Sequence, residues 1–133
     1  GMELSKSTSP YYPAWVSSTH ADFQEGEALV ARQDFAGLAA LAEFSCLKMH
    51  GLMLSTNPGL LYWNAATMAC IHKVRELRQA GLPVFFTVDA GPQVKAVCLP
   101  EAQGDVSSAL SAIGGVQKVL LAGLGSGARI VAS

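Results

Sequence analysis

Residues 84–99 read VFFTVDAGPQVKAVCL, and this stretch decides how the rest of the chain is interpreted. Two runs rich in β-branched and aromatic residues flank Ala90-Gly91-Pro92. Runs of this kind, interrupted by glycine and proline, predict strands at 84–88 and 94–99 joined by a tight turn. The stretch therefore indicates a hairpin-like corner that the remaining elements must cover.

Asp89 stands where the first predicted strand ends. Aspartate is uncommon within strands, and an ionised carboxylate costs free energy to bury unless it is paired. Asp89 is then either a turn-forming residue, a usual role for aspartate, or a positioned reactive group. The local spacing alone favours the turn-forming role, and the reactive role stays open as the alternative.

Outward from the corner, the patterns predict the order β-α-α-α-β-β-α-β-β. Asp34 is the expected N-cap of the second helix and Gly81 the terminator of the third. The predicted elements are a strand at 3–8, a loop at 9–13, helices at 14–31, 35–54 and 64–79, a helix from Gly104-Asp105 to about 113 with Asp105 as N-cap, and strands at 116–121 and 128–131.

These elements predict an α+β fold in which helices pack on one face of a mostly antiparallel sheet, with a ferredoxin-like ββα portion. The glycine-rich run 123–127 is interpreted as the turn of the last hairpin. A phosphate loop is the alternative, but such loops need a helix directly after them.

Composition limits the function classes. The chain has 133 residues, of which 50% are hydrophobic and 14% charged, with a net charge of −1. One domain with a buried core is expected, and neither nucleic acid nor a membrane is an expected partner. The three cysteines lie far apart, which favours reduced thiols, a cytoplasmic location and no metal site.

His50 lies in the strongly apolar segment 47–53. A buried core or interface histidine is the first interpretation of such a position. A histidine that faces a substrate is the alternative.

Several motifs add a resemblance to these patterns. Residues 86–92, FTVDAGP, resemble the TxDAGPN signature of diphosphomevalonate decarboxylases, which belong to the GHMP kinase superfamily. Gln93 departs from the last residue of that signature. Four further segments are similar to the family's and follow in its order: 1–9 (GMELSKSTS), 48–51 (KMHG), 55–62 (STNPGLLY) and 78–83 (RQAGLP).

The resemblance implies that residues 1–133 form a GHMP kinase C-terminal-type domain, and that an N-terminal ATP-binding domain lies outside this chain. The family phosphorylates the 3-hydroxyl of mevalonate 5-diphosphate with ATP and forms isopentenyl diphosphate, CO2, ADP and phosphate. Asp89 matches the catalytic aspartate, and Met2, Ala90 and Gly91 match substrate-binding positions. Mg2+ would accompany ATP and be held mainly by the N-terminal domain.

Three alternatives stay open at this point. A mevalonate-type kinase would phosphorylate without decarboxylating, although such relatives usually carry a glycine-rich segment where this chain has Asp89 and its turn. A decarboxylase acting on the monophosphate would use the same signature. A stand-alone binding or dimerisation module would have no catalysis, and a surface left bare by a missing domain would favour a homodimer. The domain alone is expected to fold but to be inactive.

Overall fold

The computed structural model describes residues 1–130 and confirms the α+β class. Strands β1 and β2 form an antiparallel hairpin in which Val84 pairs with Cys98 and Thr87 with Lys95. The elements are α1 (Met2–Thr8), α2 (Tyr12–Ala31), α3 (Phe35–Leu54), α4 (Ala65–Gln79), β1 (Val84–Thr87), β2 (Lys95–Cys98), a 3-10 turn (Pro100–Ala102) and α5 (Gln103–Ser111).

The main core lies between one face of the hairpin and helices α4 and α5. Val84, Phe86 and Val88 point into it, because alternate side chains of a strand share a face. Ile71 and Val74 of α4 meet them there, and α5 closes the far side. Burial of apolar side chains is the dominant favourable contribution to folding, so this layer supports the hairpin. The core consists of Cys46, Cys70, Ile71, Val74, Val84, Phe86, Val88, Ala102, Val106 and Leu110.

Helix α3 lies along the edge of β1 that does not pair with β2. The Glu43 side chain, which is 6% exposed, accepts a hydrogen bond from the backbone N–H of Phe86 at 3.2 Å. The same carboxylate accepts two bonds from the Arg78 guanidinium of α4, at 2.7 and 2.9 Å. One buried carboxylate therefore joins α3, α4 and β1.

The start of α3 and both ends of α4 follow local sequence rules. The Asp34 carboxylate accepts a hydrogen bond from the N–H of Gly37 at 2.8 Å, as predicted for an N-cap. Asn64 and Thr67 form a reciprocal capping box at the start of α4. Gly81 ends that region with a φ of +97°, a conformation that favours glycine.

The predicted strand at 3–8 is wrong, because these residues form helix α1. The hydroxyls of Ser7 and Thr8 donate to the carbonyl of Leu4 within the helix, at 3.1 and 2.8 Å. Helix α2 also begins earlier than predicted, at Tyr12. Pro13 does not prevent this, since proline is tolerated in the first turn of a helix.

The predicted C-terminal elements differ as well. Asp105 is not an N-cap, because α5 continues directly from the 3-10 turn and begins at Gln103. Residues 116–121 and 128–130 form no strand, and residue 131 lies outside the described residues. The run 123–127 is therefore an exposed irregular segment rather than a hairpin turn, and no helix follows it in the described part of the chain.

We expect Arg78→Met to lower the free energy of unfolding by roughly 2 kcal/mol, because the buried Glu43 carboxylate loses two donors. Urea unfolding of residues 1–133 measures the change. Lys73→Met is the matched control on the same helix, since it removes only an exposed ion pair with Glu76. Equal effects of the two substitutions would contradict the role assigned to Glu43.

Candidate active site

Asp89 marks an abrupt change from buried to exposed chain. Val88 is 1% exposed, whereas the Asp89 side chain is 80% exposed. The carboxylate forms an ion pair with Lys95, which begins β2 on the other side of the turn. Exposed pairs of this kind contribute little to stability. The Asp89 carboxylate can therefore exchange Lys95 for another partner at little cost.

The residue before Asp89 is held by two side chains of α3. The N–H of Val88 donates to the sulfur of Cys46 at 3.3 Å, and the carbonyl oxygen of Val88 lies 3.0 Å from His50 Nε2. A carbonyl oxygen only accepts, so Nε2 carries the hydrogen in this bond. Burial raises the pKa of the Cys46 thiol, which keeps its proton and can donate to the same carbonyl at 3.5 Å.

The far side of the turn is anchored by the start of α4. The Thr67 hydroxyl donates to the carbonyl oxygen of Pro92 at 2.8 Å. Thr67 is 2% exposed, and its own N–H donates to the Asn64 side chain at 2.9 Å. The cap of a helix thus also fixes the second half of the turn.

Gly91 is the position at which the turn depends on glycine. Its φ is +100°, and a Cβ built there would lie 3.2 Å from the carbonyl oxygen of Tyr62 and 3.3 Å from Cδ1 of Trp63. Both conditions exclude a larger residue without movement of the neighbouring chain. The loop before α4 therefore packs directly on the turn that carries Asp89.

The start of α1 lies at this same end of the molecule. A Cβ built on Gly1 would lie 2.8 Å from the Tyr62 hydroxyl oxygen, and the carbonyl of Tyr62 faces Gly91. Buried Ser5 holds α1 in place through a 2.8 Å hydrogen bond to the Thr56 hydroxyl. Tyr62 thus connects the neighbour of Met2 with the turn. Ala90 is exposed beside Asp89, while Met2 is half-buried.

Sequence reasoning identified Asp89 but missed the residues that hold it. Cys46 and His50 are four residues apart and therefore share one face of α3. That spacing could have predicted that the two side chains contact the same neighbouring segment. Thr67 gave no such signal, because its partner is a backbone carbonyl 25 residues away.

His50 is confirmed as a buried histidine, with 5% exposure. Its only side-chain hydrogen bond in the described structure is the one to Val88, and its ring packs on Trp63 with centroids 4.4 Å apart. This ring does not face solvent, so the substrate-facing alternative is not supported.

Residues 1–130 bring together no group of three or more His, Cys, Asp or Glu side chains that would hold a metal ion. None of the helices described is both long enough and apolar enough to cross a membrane.

Residues 1–130 match the model of the mevalonate 5-diphosphate decarboxylase C-terminal domain. This match assigns the α+β domain, with its exposed carboxylate on the turn, to the class of decarboxylase C-terminal domains. The chain belongs to the family of mevalonate 5-diphosphate decarboxylase C-terminal domains, which confirms the predicted resemblance. No curated protein matches the sequence.

Solved structures agree with the family. The mevalonate pyrophosphate decarboxylase from Streptococcus pyogenes is 32% identical with a TM-score of 0.79, over 84% of this chain and 35% of its own. The Enterococcus faecalis decarboxylase is 29% identical with a TM-score of 0.80, over 86% of this chain and 36% of its own. The protein MDDEF, in complex with MVAPP, AMPPCP and magnesium, is 31% identical with a TM-score of 0.80, over 84% and 34%. The chain spans about a third of the length of these structures.

We expect Gly91→Ala to lower the free energy of unfolding by about 1 kcal/mol more than Gly81→Ala, because overpacking is added to backbone strain. The two glycines have nearly equal φ, +100° and +97°, but a Cβ on Gly81 meets no atom within 4 Å. Thermal or urea unfolding compares the variants. Equal losses would show that the Tyr62–Trp63 contact with the turn does not restrict residue 91.

Proposed function

We propose that residues 1–133 are the C-terminal domain of a two-domain enzyme that decarboxylates mevalonate 5-diphosphate at the expense of ATP. The products are isopentenyl diphosphate, CO2, ADP and phosphate. Family membership supports this proposal, as do the solved MDDEF complex with MVAPP, AMPPCP and magnesium and the mevalonate diphosphate mediated ATP binding of the Enterococcus faecalis enzyme.

The observation that carries the proposal is the exposed Asp89 carboxylate on a turn whose two ends are fixed by α3 and α4. Phosphoryl transfer depends mainly on positioning and on charge stabilisation. A general base must also lie within hydrogen-bond reach of the proton that it accepts. A carboxylate on a rigid mount satisfies the demand for positioning, and its exposure leaves it accessible to a substrate.

In the proposed steps Asp89 acts as the general base. Its carboxylate orients the C3 hydroxyl and accepts the hydroxyl proton as that oxygen attacks the γ-phosphorus of ATP, and the bond from phosphorus to ADP breaks. The C3–O bond then breaks and phosphate leaves. The electrons of the bond between C2 and the carboxylate carbon form the C2–C3 double bond, and CO2 departs. Ala90 and Gly91 of the turn and Met2 at the start of α1 are the proposed substrate contacts of this domain.

The rest of the enzyme is proposed to supply the groups that bind phosphate and Mg2+, since the chain spans about a third of the length of the solved structures. Cys46, Cys70 and Cys98 are free thiols, and the first two are buried. Free thiols are usual in reducing compartments, which supports a cytoplasmic location.

Asp89→Asn in the complete enzyme tests the role of the carboxylate. We expect kcat to fall by roughly 10²–10⁴-fold, the usual scale for loss of a general base, while KM for mevalonate 5-diphosphate changes little. Steady-state CO2 release measures both constants. Asp105→Asn is the control, since Asp105 is an exposed aspartate in the first turn of α5.

Asparagine forms turns as readily as aspartate. A kcat near that of the wild type in Asp89→Asn, with unchanged stability, would therefore return Asp89 to the role of a turn-forming residue.

Residues 1–133 alone are expected to release no CO2 from mevalonate 5-diphosphate with ATP and Mg2+, because Asp89 by itself cannot position ATP. The complete enzyme should release CO2 and phosphate together. Steady turnover by residues 1–133 alone would overturn the two-domain proposal. ADP without CO2 from the complete enzyme would identify a kinase, and activity confined to mevalonate 5-phosphate would identify a monophosphate decarboxylase.

A further inference from the structure

We infer that His50 is a positioning residue for Asp89, an inference that rests on the proposed function. His50 Nε2 donates to the carbonyl oxygen of Val88 at 3.0 Å. That carbonyl belongs to the peptide unit between Val88 and Asp89. Because a peptide unit is planar, the bond sets the orientation of the plane from which the Asp89 side chain departs.

This peptide needs support from outside the hairpin. The ladder between β1 and β2 ends at the pair Thr87–Lys95. Val88 therefore lies beyond the last pair that the sheet orders. Its N–H and carbonyl bond to Cys46 and His50 of α3 instead.

Cys46 cannot replace His50 in this position. Its sulfur lies 3.5 Å from the Val88 carbonyl oxygen, and a thiol is a weak donor. The imidazole N–H is the stronger donor and the closer one. Loss of His50 would leave a buried carbonyl with a poor partner and free the peptide to rotate.

The His50 ring is itself fixed against the turn. It packs on Trp63 with ring centroids 4.4 Å apart. Cδ1 of Trp63 in turn lies 3.3 Å from the Cβ position of Gly91. The same aromatic ring thus touches both the histidine and the turn, and His50 cannot shift without disturbing Trp63. A side chain locked by packing on a rigid helix is the kind of support that a catalytic group requires.

The test uses the complete enzyme and the substitutions His50→Leu and His50→Gln. Leucine removes the donor, and we expect kcat to fall by roughly 10–100-fold, since small misplacements of a catalytic group have effects up to about 100-fold. KM should change less than about threefold, because uniform substrate binding is not lost. Glutamine offers an amide N–H close to the position of Nε2 and should restore most of kcat.

The matched control is Glu43→Gln, which weakens the contact between α3 and β1 at Phe86, two residues before Val88. It should lower stability and leave kcat near the wild-type value. Where His50→Leu does not fold, His50→Asn takes its place. Its shorter amide does not reach the Val88 carbonyl, and the same loss of kcat is expected.

A double substitution separates positioning from a general structural role. If His50 acts through Asp89, then His50→Leu should cause little further loss of kcat in the Asp89→Asn enzyme. A full additional loss in that background, or a wild-type kcat in His50→Leu, would overturn the inference while leaving the proposed function intact. A wild-type enzyme that releases no CO2 would instead overturn the proposed function and this inference with it.

Discussion

The hydrogen bonds from α3 to the unpaired edge of β1 are the constraint on which the rest of the structure depends. A strand edge exposes N–H and carbonyl groups that must find partners when they are buried. Glu43, Cys46 and His50 supply those partners for Phe86 and Val88. Without them, a two-stranded sheet could not place buried residues at its open edge, and two strands alone are marginally stable.

The spacing of the three side chains along α3 suits the backbone groups that they bond along β1. From Glu43 to His50, seven helical residues advance about 10 Å. The two steps from Phe86 to Val88 advance about 7 Å in extended chain, and the long Glu43 and His50 side chains can bridge the difference of a few Å. Side chains on one face of α3 can therefore follow the backbone of β1 from its middle to its end. The Arg78 bonds that neutralise Glu43 also hold α4 to this edge, and α4 fixes the far side of the turn through Thr67.

Local rules predicted much of this fold. Helix α3 has the predicted bounds, because the Asp34 cap and a long apolar run define it within the sequence. The hairpin was predicted from strand propensity around a glycine–proline turn. The strand predicted at 3–8 was wrong because tertiary contacts hold this segment as a helix. Ser5 bonds to the Thr56 hydroxyl, and the Asn57 N–H donates to the Thr8 hydroxyl, which local propensity does not represent. Residues 116–121 have strand-forming composition, but a strand also needs a partner, and none pairs with them in the described structure.

Asp89 is the residue of the candidate site to which the sequence pattern points most directly. Asp89 is visible because a carboxylate ends an apolar strand. Of the residues that hold its backbone, only Cys46 and His50 leave a signal in the sequence, their spacing of four residues, and Thr67 leaves none. This difference has a physical cause. The fold has to bury the strand up to Val88 and expose the chain at Asp89. Cys46, His50 and Thr67 achieve this by bonding to backbone atoms, and such bonds do not depend on which side chains Val88 and Pro92 carry. The backbone on both sides of the Asp89 carboxylate is thus held by α3 and α4, and the carboxylate stays accessible because neither helix covers it.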